Sequence, residues 1–203
     1  MLNVLLCGIG GQGTVLAAKL LAQAAQSKGW QVRTAETIGM AQRGGSVVSH
    51  VRMGNDVGPD GAPESVESPL LPLGSAALVV AFEPSEAARA LPYLAPDGVL
   101  VTATTAVQPV TAALSKKPYQ AEGVLANLRA LLAGSPATLV EVDDAALLSQ
   151  VGSPKALNVV LLATALSQGH VPLTLDDLRA AVRACVKPAF IDMNLQAINI
   201  AAK

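Results

Sequence analysis

Cysteine is almost missing from these 203 residues: Cys7 and Cys185 are the only two, and they stand near opposite ends of the chain. A four-iron cluster takes about four thiolates, and a structural zinc takes about four Cys or His ligands at short spacing. With only His50 and His170 to add, neither centre can be assembled. Redox metal chemistry then belongs to another chain, and both cysteines read as small buried apolar residues. Charge is scarce as well. Charged residues make up 14% of the chain, against roughly 25% in an ordinary soluble domain, which points to a surface covered by a lasting interface. Fourteen Lys and Arg against fifteen Asp and Glu leave a net charge of -1. Without clustered cations, binding to a nucleic-acid backbone is not expected. Long apolar runs are absent too. The longest, Ala156 to Leu166, contains Asn158 and Thr164 and falls short of the roughly 18 residues of a spanning helix. No basic leader precedes the first apolar run. A soluble, cytoplasmic chain without membrane contact is the expectation.

What is present is apolar and regularly punctuated. Hydrophobic residues are 51% of the chain, enough for one core, so residues 1–203 read as a single domain. Leu2 to Cys7 is a nearly unbroken apolar run of the kind a doubly buried parallel strand shows. Thr14 to Lys28 carries a helical Ala/Leu pattern closed by Gly29, and Gln31 to Glu36 is the next strand. The opening therefore reads as strand, turn, helix, strand, with a direct parallel crossover. Further strands are expected at Ser46 to Met53, Ala77 to Phe82, Gly98 to Ala103 and Thr138 to Val142. Helices are expected after Pro84 and near Val124 to Ala133. Asn55 to Ser75, rich in Pro and Gly, is a long loop read as a partner-facing arm. Beyond Val142 the spacing is helical: Asp143-Asp144 opens a helix, Pro154 to Ser167 and Pro188 to Ala202 continue the pattern, and Thr174 with Asp177 forms a capping box before Leu178. These patterns predict an α/β three-layer, Rossmann-like, mostly parallel sheet with a helical C-terminal third.

Two glycine turns carry the chemistry. Gly8-Ile9-Gly10-Gly11-Gln12-Gly13 follows a strand and opens a helix, the context in which GxGxxG holds an anion on backbone N–H groups and a helix N-terminus. Glu36 stands where an acid would bind the ribose of a dinucleotide. A nicotinamide or flavin, another phosphate ligand and an empty tight turn all remain open on these residues. The second turn, around Gln42, Arg43, Gly44 and Gly45, places a guanidinium beside bare backbone amides, a combination suited to phosphate or carboxylate. His50 reads as a packed residue and His170 as an exposed one. No catalytic constellation and no metal site emerge.

Taken together, Gly8-Ile9-Gly10-Gly11-Gln12-Gly13 and the string from Met40-Ala41-Gln42-Arg43-Gly44-Gly45-Ser46 to Arg52 resemble the gamma-type subunit of 2-oxoacid:ferredoxin oxidoreductases. The likeness is strongest to the indolepyruvate branch and extends through Ser68-Pro69, Asn158 and Asn194. The resemblance implies an accessory subunit, not catalytic alone, in CoA-dependent oxidative decarboxylation of an aryl or other 2-oxoacid to acyl-CoA. Thiamine diphosphate, magnesium and iron–sulfur clusters would sit on the partner subunit, and electrons would pass to ferredoxin. Separately, the scarce charge and the long Asn55 to Ser75 segment lead to the expectation of a homodimer or aggregation when the chain is alone. On the basis of the resemblance, Gly8, Gly10, Gly11, Gln12, Gly13, Thr14, Gln42, Arg43, Gly44 and Gly45 are the candidate CoA-binding residues. Lys19 matches a position that is often basic in the family but lies more than a turn inside its helix. A free-standing NAD-binding dehydrogenase and a scaffold with an empty turn are the alternatives.

Overall fold

A computed structural model of the chain describes residues 1–39, 44–54, 61, 64–107 and 119–202. Within them lie six strands and seven α-helices. The strands are β1 (Leu2–Ile9), β2 (Gln31–Ile38), β3 (Ser46–Gly54), β4 (Ala76–Ala81), β5 (Leu94–Ala103) and β6 (Thr138–Val142). The helices are α1 (Thr14–Ser27), α2 (Pro84–Ala90), α3 (Ala121–Leu132), α4 (Asp144–Val151), α5 (Leu157–Ser167), α6 (Leu175–Cys185) and α7 (Ile191–Ala201). The strands form one sheet in the order β2-β3-β1-β4-β5-β6. β1, β4, β5 and β6 run parallel, while β3 is antiparallel to both β1 and β2. Five strands thus share one direction and β3 opposes them. The α/β, mostly parallel architecture is as expected.

Alternation along the strands divides the core into two layers. Val4 and Leu6 of β1, Leu78 and Val80 of β4, and Val99 and Val101 of β5 point to one face, where α1, α5, α6 and α7 pack. Leu5, Cys7, Val79 and Leu100 point to the other face, beneath α2 and α3. Every second side chain changes face because the strand period is two. Both layers are apolar, which is why β1 reads as one continuous hydrophobic run. α5 is buried nearly all round, and its Leu161 and Leu162 are sealed from solvent. No single helix among the described residues is long and apolar enough to cross a membrane.

The structure departs from the sequence reading in four places. β2 is not the neighbour of β1. The chain returns antiparallel along β3, which inserts between them and pairs with both over eight residues each. β2 becomes the exposed edge, and its polar residues suit that position. β5 begins at Leu94 rather than Gly98, with a register shift against β4 between Ala76 and Leu78. The described part of the long loop is tied down rather than projecting. Val66 and Leu71 are buried, Arg33 Nε donates to the Val66 carbonyl at 3.3 Å, and Arg52 Nη1 donates to that of Ser68 at 2.8 Å. Cys185 is half-buried rather than sealed, whereas Cys7 is fully buried. The C-terminal helices follow the expected spacing, and the Thr174–Asp177 capping box is formed in full.

Candidate functional site

The carboxyl end of β1 is where strand order reverses, with β3 on one side and β4 on the other. Open sheets take ligands at such points because loops from the two sides leave in different directions. Here the divergence can be followed bond by bond. The Phe82 N–H reaches the Cys7 carbonyl at 2.8 Å, continuing the β1–β4 ladder. A regular parallel ladder would next join the Ile9 N–H to the Phe82 carbonyl. Instead the Gln12 carboxamide stands between them: Ile9 N–H donates to Gln12 Oε1 at 2.7 Å, and Gln12 Nε2 donates to the Phe82 carbonyl at 2.8 Å. One side chain replaces one ladder bond, so the strands separate without stranding a polar group. Gly8 makes room for it. A Cβ there would stand 2.9 Å from Gln12 Oε1 and 3.0 Å from the Phe82 ring.

The two glycine turns meet at this opening. The Gly10 N–H donates to the Gly45 carbonyl at 2.8 Å. Gly8, Gly10, Gly11, Gln12, Gly13, Thr14, Gly44 and Gly45 come together there. Gln42 and Arg43 lie outside the described residues. Gly13 caps α1 with φ +82°, and a Cβ on it would lie 2.7 Å from Asn158 Nδ2. Only glycine satisfies both conditions. Asn158 in turn donates to the Gly13 carbonyl at 3.3 Å, fixing the start of α1 against α5. Among the described residues no side chain caps α1, and no acid lies in its first turn. Thr14, the first helical residue, is 2% exposed, and its Oγ1 has no hydrogen-bond partner among the described residues.

Two hollows flank this end of α1. One, of about 260 Å³, lies between the first glycine turn and the start of β3 and is lined by Gly10, Gly11, Gly13, Thr14 and Val47. The other, of about 400 Å³, runs from Gly11 and Gly13 to Thr105, Asp144, Lys155 and Asn158. Its far wall is rigid, because Asp144 Oδ1 accepts the N–H groups of Thr104 and Thr105, each at 3.0 Å. The second glycine turn is anchored from α2: Ser46 Oγ donates to Glu86 Oε2 at 2.5 Å, and Arg89 Nη1 holds Glu86 Oε1 at 2.7 Å. The Cys7 thiol beneath donates to the Glu86 carbonyl at 3.5 Å. Burial, then the Glu86 and Glu83 carboxylates, push that thiol far above the usual cysteine range, so it is no nucleophile. His50 Nδ1 accepts the Leu71 N–H at 3.2 Å, and burial lowers its pKa. It packs edge-on against Tyr93. Glu36 is exposed on the edge strand, opposite Ser49 and across β3 from the glycine turn. Lys19 points to that same outer groove, beside Thr34 and Glu36. The dinucleotide reading loses its ribose acid.

The sequence model of the family described as pyruvate ferredoxin/flavodoxin oxidoreductase matches residues 3–203. The chain belongs to that family. Among its curated relatives is the indolepyruvate oxidoreductase subunit IorB of Archaeoglobus fulgidus, 33% identical over 98% of this chain and 92% of the relative. Among solved structures, the gamma subunit of a keto/oxoacid ferredoxin oxidoreductase from Geobacter sulfurreducens shares the fold, with a TM-score of 0.68 at 20% identity over 100% of this chain and 96% of that one. A 2-oxoglutarate:ferredoxin oxidoreductase from Magnetococcus marinus, solved with 2-oxoglutarate, coenzyme A and succinyl-CoA bound, shares it at TM-score 0.69 and 14% identity. That match covers 98% of this chain and 30% of the other. The expected membership as a gamma-type oxidoreductase subunit stands. Within this family member, no group of three or more His, Cys, Asp or Glu among the described residues could hold a metal. Cys7 and Cys185 pack in opposite layers of the fold, so an iron–sulfur cluster does not fit. Sequence reasoning missed Lys155 as a cation beside the glycine turn, and it gave Gln12 no scaffolding role. Asn158 did leave a signal, as a lone amide in an otherwise apolar helix.

Proposed function

We propose that this chain is the accessory subunit of an aryl-type 2-oxoacid:ferredoxin oxidoreductase, with indolepyruvate or a similar aryl pyruvate as the oxoacid. In this reading the α1 N-terminus binds the phosphates of coenzyme A. The partner subunit carries thiamine diphosphate, magnesium and the iron–sulfur clusters. There the oxoacid loses carbon dioxide, the acyl group passes to the CoA thiol, and two electrons leave for ferredoxin. Gly10, Gly11, Gly13, Gly44 and Gly45 offer backbone amides, Gly8 and Gln12 hold the turn open, and Lys155 adds a charge at the side. This chain's own contribution is to bind and orient, since the described residues of the turns include no acid–base pair.

The observation that carries the reading is Thr14 Oγ1. Among the described residues it is a buried hydroxyl without a partner at an uncapped helix start, on a residue that lines a hollow. Such a group is unfavourable by about 1–3 kcal/mol until a ligand oxygen meets it. Thr14→Val should therefore stabilise the free chain by about 1 kcal/mol while raising the CoA requirement of the assembled enzyme about tenfold. Thermal melts and CoA titrations of complexes with equal subunit content read both effects. An unchanged CoA requirement would overturn the reading.

A further inference from the structure

The two edges of the sheet are finished differently. β6 is five residues long, and Arg129 on α3 clamps its Glu141 through Nε and Nη2, each at 2.6 Å. A short strand crossed by charge is a blunted edge. β2 runs for eight residues without proline or a bulge against β3, and only its Arg33 and Glu36 are charged. Its side chains suit water, but half of its backbone is left unpaired. The Gly39 N–H donates to the Ser46 carbonyl at 3.0 Å, in register with the β2–β3 ladder. Bonded and non-bonded pairs alternate along an antiparallel ladder, so Arg33, Ala35 and Thr37 bond to β3. Val32, Thr34, Glu36 and Ile38 therefore turn their N–H and carbonyl groups outward, and nothing among the described residues meets them. Ile38 is also 57% exposed. Beside this edge lies a groove of about 340 Å³, between β2 and the outer side of α1, lined by Val15, Lys19, Gln23, Thr34 and Glu36.

A row of alternating donors and acceptors is met by another extended strand, and the sequence of β2 selects its own copy. Antiparallel pairing about a twofold axis normal to the sheet keeps like faces together, so outward residues pair with outward residues. An axis through Arg33 or Glu36 sets like charges opposite each other, which is unfavourable. An axis through Thr34 puts Val32 against Glu36 and leaves Ile38 beyond the end of the facing strand. An axis through Ala35 pairs Val32 with Ile38, Arg33 with Thr37 and Thr34 with Glu36. That register alone meets every outward group of both copies and covers the exposed isoleucine. We propose that two copies of this chain pair through β2, with Ala35 on the twofold axis, joining their six-stranded sheets into one. Lys19 and Glu36, the charged residues lining each groove, balance across the seam. The pairing does not depend on what the glycine turns bind.

The test uses the full chain. Sedimentation equilibrium should show a reversible monomer–dimer exchange. Thr34→Pro removes an outward N–H that β3 does not use, and an edge strand tolerates proline there. Its circular dichroism should match the wild type, while the dimer dissociation constant rises about a hundredfold for two ladder bonds lost by symmetry. Ile38→Glu probes the same seam without touching the backbone and should raise that constant about tenfold. In a Cys185→Ser background, Ala35→Cys should form an intermolecular disulfide on mild oxidation. Facing residues of a non-hydrogen-bonded pair stand about 4.5 Å apart at Cα, within disulfide reach. Thr37→Cys, on the same face but about 13 Å along the strand from its counterpart, should not crosslink. A monomer at every concentration, a dimer indifferent to both Thr34→Pro and Ile38→Glu, or equal crosslinking of the two thiols would overturn the proposal. Loss of the Ala35→Cys disulfide on adding the thiamine-bearing subunit would also overturn it, by giving the edge to a strand of that chain.

Discussion

The two faces of the sheet solve the same packing problem by different means. The face beneath α1, α5, α6 and α7 is a deep apolar layer in which α5 is buried nearly all round. The face beneath α2 and α3 is thinner, and buried polar groups hold it together. Glu86 joins Ser46 to Arg89, Glu83 accepts the Ser85 and Glu86 amides at the start of α2, and His50 ties down Leu71. The polar atoms of the thick face behave differently. Thr14 Oγ1, Ser49 Oγ and Asn194 Oδ1 are buried without partners among the described residues. Bonds made within the chain fix the second glycine turn from the thin face, while the thick face relies on apolar packing and leaves these three polar atoms unmet.

The largest expected effect tests the difference in depth. Leu161→Ala removes a sealed side chain from the thick layer and should cost about 3–4 kcal/mol. Leu125→Ala, from α3 on the thin face, should cost about 2 kcal/mol, because a shallow layer collapses more readily around the lost volume. Equal losses in urea titration would erase the distinction. Next comes Gly13→Ala, which combines a positive φ with a Cβ 2.7 Å from Asn158 Nδ2. It should destabilise by about 2–3 kcal/mol. Gly11→Ala, with φ +109° but open space around its Cβ, should cost about 1 kcal/mol. A calorimetric comparison of the two separates crowding from backbone strain.

The thin face can then be loosened from within. Glu86→Gln keeps the shape but weakens the charge-assisted bonds to Ser46 and Arg89, at about 1–2 kcal/mol. Since Ser46 follows Gly45, which accepts the Gly10 N–H, exchange of the Gly10 amide should quicken more than global stability predicts. Exchange tracking global stability alone would show that the acid does not support the turn. The smallest effect is that of pH. Burial lowers the pKa of His50, so between its folded value and the unfolded value near 6.5 the unfolded chain binds the extra proton. Stability should therefore fall as pH drops below about 6.5. His50→Gln should flatten that slope in melts from pH 7.5 to 5.5.

Much of this molecule was legible because its signals are local. Apolar runs marked β1 and β4, and Thr174 with Asp177 announced the start of α6 before any packing was known. The place of β3 was not legible. Its alternation says that it is a strand but carries no information on which neighbour it takes, and a helix between β1 and β2 favours the simpler crossover. At the site, the glycine turn was visible as a string with a known geometric use. Lys155 was not, since a lone lysine before a helix looks the same wherever that helix ends up. Gln12 was visible in the motif, but its scaffolding bonds were not. A polar residue inside a ligand-like motif invites a role toward the ligand, and only the positions of Ile9 and Phe82 reveal that both ends of its amide are already engaged.

The substitution of the Gln12 amide for a main-chain ladder bond also bears on how such an opening can arise and be lost. Backbone hydrogen bonds are common to every residue type except proline, which lacks the N–H, so most point mutations leave them in place. Here the bond that lets β1 and β4 part belongs to a side chain, and a single codon determines whether it exists. A change at position 12 would leave the Ile9 amide and the Phe82 carbonyl free to find each other, closing the crevice by main-chain pairing alone. The mouth of the site is therefore a heritable trait separable from the sheet that frames it.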